Sequence, residues 1–95
     1  MRGRDRSRMI YDILTNAQMA IVQTNLQSRA NLSHISFKRH IGYLLECVLI
    51  EDVSDLYPPK GDRTGRTWYL TTRRGREWCE AYEKLIDIEK GGRSE

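Results

Sequence analysis

The side chains best equipped for chemistry in this sequence are cations, and they fall in three groups. One helix-like stretch holds Ser33, Ser36, Lys38, Arg39 and Tyr43. A loop-like stretch holds Lys60, Arg63 and Arg66, and Arg73, Arg74 and Arg76 follow at the start of another helix. Cations interleaved with hydroxyls suit a polyanion better than a reaction. Arginine can donate a bidentate pair of hydrogen bonds to guanine, worth about 1–3 kcal/mol of discrimination, whereas lysine meets phosphate as a point charge. Catalytic and metal chemistry lack their partners. His34 and His40 stand too far apart on one helix to share an ion as an i,i+4 pair does; His34 is expected on the core side and His40 at its edge. Cys47 and Cys79 form no Cys-x-x-Cys motif and fall on apolar helix faces, so both are expected as buried thiols. Gly61 and Gly65 lie between expected strands rather than before a helix, which excludes a phosphate-cradling loop. The expectation is a protein that is not an enzyme and uses no metal and no cofactor.

The elements that position these cations centre on residues 24–53. Ser33 is a good helix N-cap, and Phe37, Ile41, Leu44, Leu45 and Val48 recur at spacings of three and four, which predicts a helix over 33–47 with that side buried. Its other side carries Ile35, Ser36, Arg39, Gly42, Tyr43 and Glu46, with Lys38 on the flank. Leu26 and Ala30 give the inner face of a short preceding helix, which Thr24 is placed to cap. Ala30-Asn31-Leu32 is the turn, with Asn31 tolerating left-handed geometry. Ahead of these, Met9, Ile10, Ile13, Leu14 and Ala17 make an amphipathic first helix that Ser7 could cap, and Ala20-Ile21-Val22 is a short strand. After them, residues 49–53 read as a strand, 54–66 as a loop with two prolines and two glycines, and 67–71 as a return strand with Leu70 facing the core and Tyr69 opposite. Residues 72–90 form a last helix whose apolar stripe is wider than one small domain needs. Trp78, Ala81, Tyr82, Leu85 and Ile88 have the spacing of a helix–helix seam.

Charge follows the same division. The net charge is only +3, but residues 1–8 hold four Arg and one Asp, and residues 57–76 hold five Arg, one Lys and one Asp. Both remaining stretches are net acidic, so the positive charge lies in an N-terminal arm and around the loop at 54–66, the footprint of a polyanion partner. Ninety-five residues make one domain with a small core. No signal peptide is visible, and no apolar run approaches the ~18 residues of a membrane span, so a cytoplasmic location is expected.

The segments RANLSHISFKRHIGYLLECVLIEDV and WYLTTRRGREW resemble the archaeal winged helix-turn-helix family typified by the ten-kilodalton chromatin-type DNA-binding protein of Sulfolobus. The likeness spans about residues 9–85. Val48 stands where that family usually has Gly, and the last helix is shorter than in the type protein. The resemblance implies an α+β fold: a three-helix core, a small antiparallel β-wing and a C-terminal helix for dimerisation. It implies a flexible basic arm (1–8), a DNA-binding domain (9–71), a dimerisation helix (72–90) and a frayed tail (91–95). It implies a homodimer on double-stranded DNA in the nucleoid, the helix at 33–47 in the major groove and the wing at 54–66 on the backbone or minor groove, acting as a transcriptional regulator or chromatin-type protein. The DNA-binding set is then Ser33, Ser36, Lys38, Arg39, Tyr43, Lys60, Arg63, Arg66, Arg73 and Arg74. Two other readings stay open. Ile35, Gly42 and Tyr43 would also suit a protein partner, since the fold does not fix the function. Tyr57, Trp68 and Tyr69 could stack on single-stranded nucleic acid.

Overall fold

In the computed structural model, residues 5–56 and 65–93 are described. Lys60, Arg63, Tyr57 and the arm residues Arg2 and Arg4 lie outside them. The order is α1 (Arg6–Asn16), β1 (Ile21–Val22), α2 (Gln23–Arg29), α3 (His34–Glu46), β2 (Ile50–Asp52), β3 (Trp68–Thr71) and α4 (Arg73–Arg93). The strands form one antiparallel sheet in the order β1-β3-β2.

Each helix begins where a side chain or a neighbouring strand satisfies its first N–H groups. For α1 the cap is Asp5, whose carboxylate accepts from the Arg8 N–H at 2.9 Å. Ser7, expected as the cap, is therefore inside the helix, and Arg6 to Arg8 form its first turn rather than part of an arm. For α2 the cap position is Val22, with no side-chain bond; Gln23 donates its N–H to the Thr67 carbonyl at 2.8 Å instead. Thr24 is thus displaced from the cap, because the residue just before β3 already supplies an acceptor. Ser33 caps α3 as expected, accepting from the Ser36 N–H at 3.2 Å. Thr72 does the same for α4, accepting from the Gly75 N–H at 3.0 Å. The last helix continues past residue 90 through Gly91 and Gly92 to Arg93, since glycine weakens a helix without sterically ending it.

Both helices of the helix-turn-helix end in Schellman motifs. At the end of α2, Leu32 and Asn31 donate to the carbonyls of Gln27 and Ser28, with Asn31 at φ 58°. At the end of α3, Leu49 and Val48 donate to Leu44 and Leu45, with Val48 at φ 60°. This left-handed turn carries Val48 out of the buried stripe, and it is 59% exposed; Leu45 is also on the rim. The buried side of α3 is Phe37, His40, Ile41 and Leu44. The histidines therefore exchange their expected places, His40 being buried and His34 exposed.

The core joins Ile10, Ile13, Leu14 and Ala17 of α1 and its exit to Leu26, Phe37, Ile41, Leu44, Ile50, Tyr69 and Cys79. The face of β3 is the reverse of the expectation: Tyr69 and Thr71 are buried and Leu70 is only half-buried. Polar contacts fix this register. The Thr71 hydroxyl donates to the Leu14 carbonyl at 2.7 Å and its N–H to the Ala17 carbonyl at 2.8 Å, tying that face to the end of α1. Tyr69 then meets Phe37 edge-on at 6.4 Å, and a one-residue shift would turn every side chain over. Cys79 is buried, and burial pushes its thiol pKa up to about 11, whereas Cys47 is only half-buried.

Candidate nucleic-acid interface

The outer face of α3 is bare. Ile35, Lys38, Arg39, Gly42 and Glu46 are exposed, and Ile35 is 73% exposed. Arg39 and Glu46 lie along the crest, opposite Phe37, as a turn of 100° per residue requires. Lys38 is on one flank. Ser36, His40 and Tyr43 are on the other, facing the first turn of α1. Between that turn and α3 runs an open groove of about 740 Å³, lined by Arg6, Met9, Ser36, Arg39, His40, Gly42, Tyr43 and Glu46.

Local bonds decide what these side chains are free to do. The Ser33 hydroxyl accepts the capping bond and is spent in part on the helix. Ser36 turns towards α1, its hydroxyl 4.0 Å from the Met9 sulfur. His40 Nδ1 lies 2.7 Å from the Ser36 carbonyl, which can only accept, so Nδ1 carries the proton. The Tyr43 ring lies under the Arg6 guanidinium, 4.3 Å from its centroid. The Tyr43 hydroxyl shares a hydrogen bond with the Cys47 side chain, which raises its pKa. Arg39 makes no ion pair among the described residues.

The cations beyond α3 divide. Arg74 donates from Nε to the Cys47 carbonyl at 3.0 Å, so its charge sits against the C-terminal end of α3, where the helix dipole favours it. Arg73 pairs with Glu77 at 3.5 Å in the open. Arg76 reaches the Thr71 carbonyl at 3.4 Å. Arg66 is exposed beside the base of the wing, where Ser54 accepts from the Trp68 N–H at 3.0 Å. The structure thus brings Ser36, Arg39 and Tyr43 onto one groove and ties Arg74 to the end of the same helix. Arg6 joins them from α1, a residue that the sequence pattern assigns to the arm. Asp5, an N-cap residue three before Arg8, was the available signal for starting the helix earlier. Of the three aromatics of the stacking reading, Tyr69 is buried, Trp68 is half-buried in the sheet, and Tyr57 lies outside the described residues.

The expected seam on α4 is split. Trp78 and Tyr82 stack at 5.5 Å with planes 8° apart, and Tyr82 lies 4.9 Å from Tyr11 of α1. Tyr11 donates its hydroxyl to Glu83 at 2.6 Å, closing α1 on α4. Ala81, Leu85 and Ile88 are exposed, and Ala81 and Leu85 line a shallow pocket with Trp78, Tyr82 and Ser7 of α1. Among the described residues no group of three or more His, Cys, Asp or Glu side chains could hold a metal ion, and no helix is long and apolar enough to cross a membrane.

The sequence profile of the winged helix-turn-helix matches residues 3–90. The chain belongs to the winged helix-turn-helix family. Among solved structures, this winged helix-turn-helix protein is similar to Sso10a-2, a DNA-binding protein from Sulfolobus solfataricus. The TM-score is 0.76 at 18% identity, and the match covers 96% of this chain and 87% of the other. A search of curated protein sequences finds no significant match.

Proposed function

We propose that this winged helix-turn-helix protein binds double-stranded DNA, with the outer face of α3 in the major groove and the wing, residues 54–66, on the neighbouring backbone or minor groove. The observation that carries the proposal is the bare face of α3, on which Arg39 projects without a counter-ion among the described residues while the opposite face is buried. Thirteen helical residues span roughly 20 Å, a length that fits along the groove. Arg39 is placed to read a base edge, Lys38 and Arg66 to meet phosphate, and Arg74 to fix the end of α3. The DNA-binding neighbour of the same fold supports the reading.

The reading includes a homodimer through α4. Ala81, Leu85 and Ile88 form an exposed apolar stripe beside Trp78, and a second copy of the same helix would cover it. Light scattering at tens of micromolar is expected to give twice the chain mass of 11.2 kDa; the mass of one chain removes the dimer.

The experiment for DNA is fluorescence anisotropy with a labelled random duplex of about 30 base pairs across a salt series. Binding should weaken log-linearly with a slope that reports about 4–8 released counterions. Absence of binding in low salt makes the face a protein-docking surface, a role for which exposed Ile35 is suited. Equal affinity for all duplexes marks a chromatin-type protein, and a preferred site marks a transcriptional regulator.

A further inference from the structure

Arg6 opens α1, where the positive end of the helix dipole disfavours a cation. A second cation, Arg39, lines the same groove. No carboxylate pairs with Arg6 among the described residues, whereas Arg8, two residues on, is held by Asp12 at 3.1 Å. Arg6 instead rests on the Tyr43 ring, 4.3 Å from guanidinium to centroid. Asp5 caps that turn and Glu46 lines the same groove, but neither forms an ion pair with Arg6 among the described residues, so the guanidinium stays open to an anion from outside.

We infer that Arg6, held in place on the Tyr43 ring, is a phosphate contact of the DNA interface, so that the first turn of α1 and the outer face of α3 grip one duplex together. The inference rests on the DNA-binding reading above. Its geometry favours phosphate over a base edge. Arg39 stands on the crest of α3, whereas Tyr43 and the Arg6 above it stand on the flank towards α1. When a helix lies in the major groove, its crest meets the bases and its flanks meet the sugar–phosphate walls. Gly42, beside them on α3, would have nothing within 4 Å of an added Cβ, so the groove floor is open to an approaching backbone. Tyr43 becomes a positioning residue. Its ring is the platform for Arg6.

The test is the salt slope of DNA binding for four full-length variants, each confirmed as folded by circular dichroism. Arg6→Ala is expected to lower the slope by about 1 and to weaken every duplex sequence to the same degree. Tyr43→Leu should reproduce that loss, and Tyr43→Phe, which keeps the ring, should restore the slope. Arg6→Ala combined with Tyr43→Leu should lose no more than either alone, because the two act as one unit. Three results overturn the inference while wild-type binding stands: an unchanged slope for Arg6→Ala, a loss confined to one preferred sequence, or a loss in Tyr43→Phe equal to that in Tyr43→Leu. If the wild-type protein binds no DNA, the reading beneath the inference fails, and the inference with it.

Discussion

Val48 holds φ at 60° as the left-handed residue of the turn that ends α3, a conformation that crowds a β-branched side chain. The side chain gains little in return, being 59% exposed. Val48→Gly is therefore expected to stabilise the protein by about 1 kcal/mol, after allowing for the greater chain entropy of glycine when unfolded. Urea unfolding checks it: an unchanged or lower midpoint would mean that the strain is absent or that Val48 packs usefully. This position was legible in the sequence as a departure from the glycine of the resembling family. Asn31 was legible for the opposite reason, since asparagine tolerates the geometry it adopts. Other residues were hidden because bonding partners, rather than residue type, set their roles. Nothing in the spacing distinguishes a histidine that can donate to the Ser36 carbonyl from one at the helix edge, and Arg6 is one of four similar arginines until Asp5 fixes the start of α1.

The elements were easier to read as helices and strands than as faces and ends. The apolar stripe of α3 is strong because Phe37, Ile41 and Leu44 recur with the helical period. On β3, by contrast, Trp68, Tyr69 and Leu70 are consecutive and apolar, so alternation cannot choose the inward face; the bond from Thr71 to the Leu14 carbonyl does. The packing of α4 on the rest is likewise settled by close contacts. A Cβ on Gly75 would collide with the Leu49 carbonyl, which already accepts from the Thr72 N–H, and with the Thr71 methyl. Gly75→Ala is expected to destabilise by about 1–3 kcal/mol despite the better helix propensity of alanine. A neutral or higher melting temperature would show that α4 can shift away without cost. The other tie between elements is chargeable. The hydrogen bond to Glu83, helped by desolvation, pushes the Tyr11 pKa up to about 12 from an ordinary value near 10. A raised pKa means that the folded state favours the protonated phenol, so this contribution is complete below about pH 10 and is lost as pH rises through 12. Tyr11→Phe should remove that part of the alkaline loss of stability. A Tyr11→Phe protein with the same fall in stability over that window as the wild type would exclude the Tyr11–Glu83 bond as its source.

At the scale of the molecule, the exposed stripe of α4 bears on the groove between α1 and α3 that is proposed to meet DNA. Tyr11 and Tyr82 clasp α1 to α4, and α1 carries Arg6 to the flank of α3. A dimer formed along Ala81, Leu85 and Ile88 would therefore hold two α3 helices at a set separation. Two linked contacts raise affinity through effective concentration without any new bond to DNA, provided that both reach the duplex. Leu85 is 51% exposed and makes little of the monomer core, so Leu85→Asp should leave the melting of the single domain nearly unchanged while opposing a second copy. The expected outcome is a monomer by light scattering whose DNA affinity has fallen at least tenfold and whose salt slope, per duplex bound, has dropped by about half. A monomeric Leu85→Asp protein with the wild-type slope would show that each chain engages DNA alone, and the stripe would then have no part in DNA binding. A variant that stays dimeric would move the interface away from Leu85, while the salt slope would still report the contacts of Arg6 and Arg39.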